Sequence, residues 1–523
     1  MDKFLEKLLK FYNMSEEEYH EMVKPISDIS LLDVKTIPNI DAITNRIHSA
    51  IVNNEKIIIY GDYDCDGICS TSIVKRTFDI LNYAVSYYIP SRYQDGYGLN
   101  VDNVHKMAAK GFKLIITVDN GISANEAIDV AKSYGIDVIV VDHHEVPETL
   151  PNAIGFIHPI VSKISNIYGS GGYMSLFLSA ALLGYYDNYL VTLAGISVVS
   201  DLMELKGYNK DVVRLSIYNF NKYKYLPLKL LVSTDVVTEK TYGLEIGPKI
   251  NSIGRILEGS EPNRLIRYLT TSDKEEIIKT SEWINNVNEE RKEIVKSFVD
   301  TYDETEIAKL PAVVEICDTK EGIMGLIANR FLTTYNLPGF ALAVDSRDPE
   351  YLKGSARSRV GFSIVDAFAE PNIKKYLVNG GGHAYAGGLS IKKSDFEPFK
   401  AAICEYAKSH PISDSNKPVI EISLNEVTRQ NYDILRTFSP FGMGNEEPEF
   451  LIKHFKTSEL DYITYGKHIS TRLGMSTKLM GFNMPSKDVQ QFNFVDFRGN
   501  LLLSYYKGFE SVEFRISSYN ESK

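Results

Sequence analysis

Three acids stand on alternate positions in Asp62-Tyr63-Asp64-Cys65-Asp66-Gly67, one glycine after the apolar run Ile57-Ile58-Ile59-Tyr60. Carboxylates crowded in this way repel one another, and a bound cation best offsets that cost. A lone D-x-D is more often a solvated turn, so one acidic stretch decides nothing. Here the pattern recurs. Leu114–Val118 runs into Asp119-Asn120-Gly121, Val138–Val141 runs into Asp142-His143-His144, and the helical stretch Leu190–Val199 delivers Asp201. Carboxylate oxygens with one or two imidazoles suit hard divalent ions, Mn²⁺ or Mg²⁺ above all. Thiolate is missing from the set, which weighs against structural zinc. Cys65 and Cys69 have no second pair beside them and read as small residues packed at the start of a helix.

The elements that must position these side chains follow from the same residues. Strands are expected at Lys56–Tyr60, Ala84–Ile89, Leu114–Val118, Val138–Val141 and Ile154–Ile157, with helices at Ile68–Leu81, Val101–Lys110 and Ala124–Tyr134 between them. This alternation predicts βαβ units and a parallel sheet. It places Asp62, Asp64 and Asp66 on one loop at a strand's C-terminal end, the edge where open α/β sheets bind ligands.

A chain of 523 residues exceeds one ordinary domain, and about three are expected. Hydrophobic content of 44% and charged content of 24% are those of a soluble globular protein, read here as cytosolic. A net charge of −11 excludes a uniformly basic surface, so a polyanion needs a local basic patch or metal ions. Four cysteines make no disulfide framework, and the apolar region Leu176–Val199 is interrupted by Asp187 and Asn188, so no membrane span is expected. The N-terminal stretch carries the helical stripe Phe4, Leu5, Leu8, Leu9 and Tyr12 rather than a leader's apolar core. A second amphipathic stripe runs through Ile277, Ile284, Val287, Ile294, Phe298 and Tyr302, and Pro411–Pro418 reads as a linker.

The acidic motifs, in order, resemble the four motifs of the DHH phosphoesterases, with the RecJ single-strand-specific exonucleases as the nearest branch. Ile89-Pro90-Ser91-Arg92, Gly96-Tyr97-Gly98-Leu99, Gly247–Arg255, Lys353–Ser358, Gly380-Gly381-Gly382-His383-Ala384, Pro440–Pro448 and Lys467-His468 extend the likeness over roughly residues 50 to 480. The resemblance implies an N-terminal helical segment (1–45), a parallel-sheet catalytic domain (46–215), and a connector with a long helix (216–305). A smaller α/β DHH-associated domain (306–410) and an OB-like nucleic-acid-binding β-barrel (411–523) would follow. It further implies a two-metal phosphodiesterase. Asp62, Asp64 and Asp119 would surround one ion, and Asp66, Asp119, His143 and Asp201 the other, with Asp142 and His144 behind them. Arg92, Asn251, Arg255, Ser355, Arg357, Gly381, Gly382 and His383 would contact the nucleic-acid backbone or a terminal phosphate.

The implied substrate is single-stranded DNA, degraded 5′→3′ to mononucleotides by a monomer, with a single-strand-binding protein or helicase as a further partner and no membrane. Two rival readings are a DHH enzyme for short oligoribonucleotides or cyclic dinucleotides, and an inactive RecJ-like replication scaffold. Three positions depart from the family's pattern: Cys65 for a usual Ala, Ser200 before Asp201, and Thr319-Lys320-Glu321-Gly322, where an aromatic or His often precedes the glycine. In the barrel, Phe482, Phe492, Phe494 and Phe497 could stack on bases, although aromatics in a β domain are more often core.

Overall fold

The computed structural model describes residues 2–522 except 165–167, 260, 301–306, 308, 414–417, 464, 473–476 and 507–508. Tyr302 and part of the expected linker lie outside the described residues. The chain divides into two compact units, residues 31–415 and residues 1–30 with 416–523. Helices α1 (Lys3–Tyr12) and α2 (Glu16–Met22) belong to the second of these, whereas α3 (Ile40–Val52) belongs to the first. The boundary expected at residue 45 therefore falls inside α3.

The larger unit begins with a five-stranded parallel sheet in the order β2-β1-β3-β4-β5, made of β1 (Lys56–Tyr60), β2 (Ser86–Tyr88), β3 (Phe112–Val118), β4 (Asp137–Val141) and β5 (Gly155–Ile157). Crossovers α4 (Cys65–Ile80), α5 (Val101–Ala109) and α6 (Asn125–Ser133) lie between the strands. Both faces of the sheet are covered, which is why its strands read as unbroken apolar runs. Alternate residues go to opposite cores. Ile57, Ile59, Leu114, Ile116, Ile139 and Val141 face one, and Ile58, Tyr60, Ile115, Val138 and Val140 the other. The expected acidic loop is shorter than the sequence suggested. Asp64 caps α4 by accepting from Gly67 N at 3.0 Å, so Asp66 sits in the first helical turn.

The apolar region after β5 is two buried helices, α7 (Gly171–Leu183) and α8 (Asn188–Ser200). Asp187 separates them because its carboxylate caps α8, accepting from Tyr189 N at 2.9 Å and Leu190 N at 3.1 Å. No described helix is long and apolar enough to cross a membrane. The long helix Lys274–Asp300 buries Ile277, Ile284 and Val287 in the same core.

A second sheet follows in the order β6-β7-β8-β10-β9, from β6 (Val313–Ile316), β7 (Gly339–Val344), β8 (Tyr351–Arg357), β9 (Leu377–His383) and β10 (Ala386–Lys392). Leu352, Ala356, Leu389 and Ile391 turn one face towards Phe368, Phe399 and Ile403. The smaller unit holds a seven-stranded sheet spanning Val419 to Glu521. Phe4, Leu8 and Leu9 of α1 are buried in its core, with the Phe4 and Phe450 rings stacked at 5.7 Å. Each such side chain contributes roughly 1.5–3 kcal/mol, so the N-terminal stripe is part of this domain's core. Phe497 is also core, whereas Phe482 and Phe494 are exposed.

Candidate active site

Side chains from four elements converge at the C-terminal edge of the parallel sheet. Oxygens of Asp62, Asp64 and Asp119 lie within 4.8 Å of one another, as do ligand atoms of Asp66, His143 and Asp201. His143 Nε2 joins the two groups, 3.1 Å from Asp119 Oδ1, 3.5 Å from Asp66 Oδ2 and 3.6 Å from Asp201 Oδ2. Asp119, His143 and His144 form a third such group. Asp119 follows β3 in the left-handed region at φ 62°, a conformation that costs energy and turns its side chain out of the strand path.

The electrostatics are those of a site built to hold cations. Burial first, and the Asp64 charge second, push the Asp62 carboxyl up to about 8. Burial and the Asp66 charge do the same to Asp201, also to about 8, and burial with four neighbouring acids raises Asp119 well above the carboxylate range. Asp62 Oδ1 is buried with no hydrogen-bond partner among the described residues. A buried acceptor left unmet costs about 1–3 kcal/mol, and a divalent cation answers both the orphaned oxygen and the repulsion. Burial pushes His143 below its ordinary value, which leaves a neutral imidazole able to coordinate. The donor set therefore fits hard divalent ions.

Behind these residues lie Asp142 and His144, as expected, and a set of contacts to Asp66 that the motifs did not reveal. Asp66 accepts from Gly171 N at 2.8 Å, Gly172 N at 2.7 Å and Ser197 Oγ at 2.5 Å. The N-terminus of α7 thus holds this acid in place. A Cβ on Gly171 would come within 2.6 Å of the Asp119 side chain, so glycine is required there by close approach. Asp142, fully buried, accepts from His144 Nδ1 at 2.8 Å and from the backbone of Ile122 and His143. The Tyr97 hydroxyl lies 3.1 Å from His144 Nε2 and donates to Asp119 O at 3.3 Å. Neither Tyr97 nor the Ser170-Gly171-Gly172 turn stands out by charge or metal affinity. The signal for Tyr97 was the Gly96-Tyr97-Gly98-Leu99 likeness, and that for the turn a Ser before two glycines.

The expected substrate contacts fall into two sets. Asn251 Oδ1 accepts from Cys65 N at 2.7 Å, tying helix Gly247–Ile256 to the start of α4. Arg255 Nη1 donates to Gly322 O at 3.2 Å, while the Arg92 guanidinium lies 4.2 Å over the Tyr63 ring. Arg92 Nε is buried and has no hydrogen-bond partner among the described residues. On the second sheet, the register aligns Ser355–Gly388–Gly381 and Arg357–Ala386–His383 across β8, β10 and β9. Ser355, Arg357, Gly381 and His383 therefore share one face. Gly382 is out of step with them, at φ 138°, where a Cβ would strike Ala386 O at 2.4 Å. Cys65 and Cys69 are buried free thiols.

Family models match three successive stretches: the DHH family, N-terminal domain at residues 56–220, the DHHA1 domain at 310–409 and the RecJ OB domain at 420–518. The chain belongs to the RecJ branch of the DHH family. Its parallel sheet with Asp62 to Asp201 is the DHH domain, the second sheet the DHHA1 domain, and the seven-stranded sheet the OB domain. Among curated proteins, it is similar to the single-stranded-DNA-specific exonuclease RecJ of Bacillus subtilis, 32% identical over 427 residues, covering 78% of this chain and 53% of that protein. The chain thus spans about half the length of that relative. RecJ of Haemophilus influenzae is 27% identical over 461 residues, covering 80% of this chain and 79% of that one. Among solved structures, RecJ of Thermus thermophilus in complex with Mn²⁺ shares the fold with a TM-score of 0.81 at 22% identity, over 99% of this chain and 76% of that one.

Proposed function

We propose that the chain is a two-metal exonuclease that hydrolyses phosphodiester bonds of single-stranded DNA from the 5′ end, releasing mononucleotides. The observation that carries this reading is the pair of ligand groups joined at His143 and Asp119, in a chain of the RecJ branch. Asp62, Asp64 and Asp119 would hold one Mn²⁺ or Mg²⁺, and Asp66, His143 and Asp201 the other, with Asp119 shared between them. When bound, the ions supply positive charge that polarises a phosphoryl oxygen and acidifies a water.

The protein's own residues then have defined tasks. Asp142 holds the His144 ring through Nδ1, with the Tyr97 hydroxyl 3.2 Å from Nδ1 and 3.1 Å from Nε2, and this leaves Nε2 to face the reacting phosphate. Arg92, Arg255, Ser355, Arg357 and His383 supply donors for the backbone or a terminal phosphate, which no carboxylate at the sheet edge can do. Gly381 and Gly382 leave the backbone open to close approach, and Asn251 fixes the start of α4. This local basic set also answers the net charge of −11, which otherwise disfavours a polyanion. The exposed Phe482 and Phe494 would offer stacking surfaces in the OB domain. We take the protein to act in the cytosol as a monomer, receiving strands from a single-strand-binding protein or helicase.

The test is a Mn²⁺ assay on single-stranded DNA labelled at either end, with Asp119→Ala beside the wild type. Rapid release of a 5′ label as mononucleotide, abolished by the substitution, is the expected result. Cleavage restricted to di- to pentanucleotides would favour a short-oligonucleotide enzyme, and no hydrolysis would favour a scaffold.

A further inference from the structure

Helix α8 closes on a residue that its backbone disfavours. Asp201 is the C-cap, Leu202 N donates to Val199 O at 3.3 Å, and Met203 N donates to Val198 O at 3.1 Å. This pairing ends a helix through one residue in the left-handed region, where glycine or asparagine is the ordinary choice. The same pairing ends α3 through Asn54 at φ 52°, α4 through Asn82 at φ 55° and α6 through Gly135 at φ 66°. At the end of α8 the residue is Leu202, at φ 55°. Among the described non-glycine residues with positive φ, it is the one with a branched aliphatic side chain. This backbone crowds its Cβ against the following carbonyl oxygen. Burial does not offset the crowding, because Leu202 is 67% exposed, whereas Met203 beside it packs against the core. Stability alone favours asparagine or glycine at this position.

The place of the residue supplies a reason for it. Leu202 directly follows Asp201, whose Oδ2 lies 3.6 Å from His143 Nε2, and successive Cα atoms are about 3.8 Å apart. The strained leucine therefore stands beside the candidate metal site, where Asp119 has the same left-handed backbone. Strain of this kind clusters at active sites and ligand clamps. A second exposed leucine, Leu244, lies in the π-turn Tyr242–Ile246. That segment packs on the same helix end, since a Cβ at Gly243 would lie 3.7 Å from Val199 Cγ1 and one at Gly247 3.3 Å from Ser200 Cβ. A single exposed leucine is ordinary; one held in a strained backbone next to a ligand acid is not. An aliphatic side chain offers no charge and no hydrogen bond, so it does nothing for a phosphate or an ion. It suits the apolar face of a base.

We propose that Leu202 is a substrate contact, its side chain packing against the base of a nucleotide next to the scissile phosphate. A leucine makes that contact, and the asparagine or glycine that the backbone prefers does not. The inference rests on the exonuclease reading above and deepens it with a residue that holds the nucleoside rather than the phosphate. Every base has an apolar flat face, so Leu202 adds affinity without sequence preference.

Leu202→Gly and Leu202→Asn in the full chain test this, because a contact with substrate and a role in the fold move stability in opposite directions. Relief of the left-handed strain should leave the melting temperature unchanged or raise it by about 1–2 °C. Binding is read by fluorescence anisotropy, with Mn²⁺, on a single-stranded oligonucleotide whose phosphorothioate linkages resist hydrolysis. Loss of one leucine contact predicts affinity about tenfold weaker in both variants. On a strand of the same length that is abasic throughout, the variants and the wild type are expected to bind alike, since the leucine then has no base to meet. A melting temperature lowered by several degrees in both variants would show that the leucine serves the fold and would overturn the contact. Equal affinity on the normal strand, or a tenfold difference that survives on the abasic strand, would overturn it too. Digestion of unmodified single-stranded DNA by the wild type, assayed alongside, separates the two readings. Digestion with no loss of binding in the variants sinks this inference alone, and loss of binding without digestion by the wild type sinks the exonuclease reading while the contact stands.

Discussion

His144 Nδ1 lies 2.8 Å from Asp142 Oδ1, and the same buried carboxylate accepts His143 N at 2.7 Å and Ile122 N at 2.9 Å. One acid thus fixes the backbone of His143, the ring of His144 and the turn after Asp119. Asp142→Ala would strand these donors in the interior. The His144 side chain is 43% exposed, so the main cost is the unmet backbone N–H groups, about 1–3 kcal/mol each, and loss of a residue that orients metal ligands costs about 10–100-fold in activity. Urea unfolding and Mn²⁺-dependent hydrolysis, measured on the same variant, should both fall. Unchanged stability would show that the carboxylate carries less than its contacts suggest.

The two histidines should titrate on opposite sides of neutrality. Burial keeps His143 below its ordinary value, so a neutral ring is available at pH 7 and hydrolysis should decline below about pH 6. Burial also opposes charge on His144, but the hydrogen bond and charge of Asp142 outweigh it and raise that imidazole to about 9. A raised folded value means the His144–Asp142 pair contributes its full stability below about pH 6.5 and loses it as pH passes through 9. A bell-shaped rate profile is expected, with the alkaline limb missing in His144→Gln. Proton NMR of the imidazole signals assigns each limb.

The acidic cluster makes a linkage of the same sign, over a lower pH range. Asp62 and Asp201 are pushed up to about 8, burial being the larger cause and neighbouring acids the next. Between roughly pH 4 and pH 8 the folded, metal-free chain binds more protons than the unfolded chain, so its stability falls as pH rises. In chelator, the melting temperature should be lower at pH 8 than at pH 6. Mn²⁺ at a hundred times its dissociation constant should add about 2.7 kcal/mol, and Asp201→Asn should be more stable than wild type in chelator at pH 8. A melting temperature that rises with pH in chelator would contradict the cluster's repulsion.

Glycine at position 171 is demanded by geometry. A Cβ there would sit 2.6 Å from both Asp119 Cβ and Oδ1, and the backbone N–H of the same residue holds Asp66 at 2.8 Å. Gly171→Ala should displace Asp119 or α7 by enough to cost roughly 100-fold in hydrolysis. Gly184→Ala, at the C-terminal cap of the same helix with nothing within 4 Å, should leave hydrolysis unaffected. Equal activity in the two variants would mean that α7 does not set the position of the acid.

How much of this could be read beforehand differs by element. Strands β1, β3 and β4 were legible because buried parallel strands are continuous β-branched runs, and the polar residues that end them are the ones that converge in the candidate site. The start of α4 was not, because Cys65-Asp66-Gly67 has turn-like composition and the cap comes from Asp64, already counted as a ligand candidate. Glycines 171 and 172 look like any loop until Asp66 and Asp119 are seen beside them. The N-terminal stripe of Phe4, Leu8 and Leu9 predicted a helix correctly but could not announce a partner more than 400 residues away, at Phe450. Periodicity reports a face, whereas the surface it covers is a tertiary fact.

Tyr97 offers the last test of the site's organisation. Its ring is half exposed, so it contributes little to the core, yet its hydroxyl reaches His144 Nε2 at 3.1 Å and Asp119 O at 3.3 Å. Gly96 and Gly98 flank it at φ 85° and 72°, a backbone that aims the phenol at the acids. Tyr97→Phe keeps the ring and deletes the contacts, so the melting temperature should move little. The rate should fall by about tenfold, the equivalent of one net hydrogen bond, with the loss in kcat rather than in KM if the hydroxyl orients His144. A loss confined to KM would instead make Tyr97 a substrate contact, and no change in either would leave its two hydrogen bonds without a part in hydrolysis.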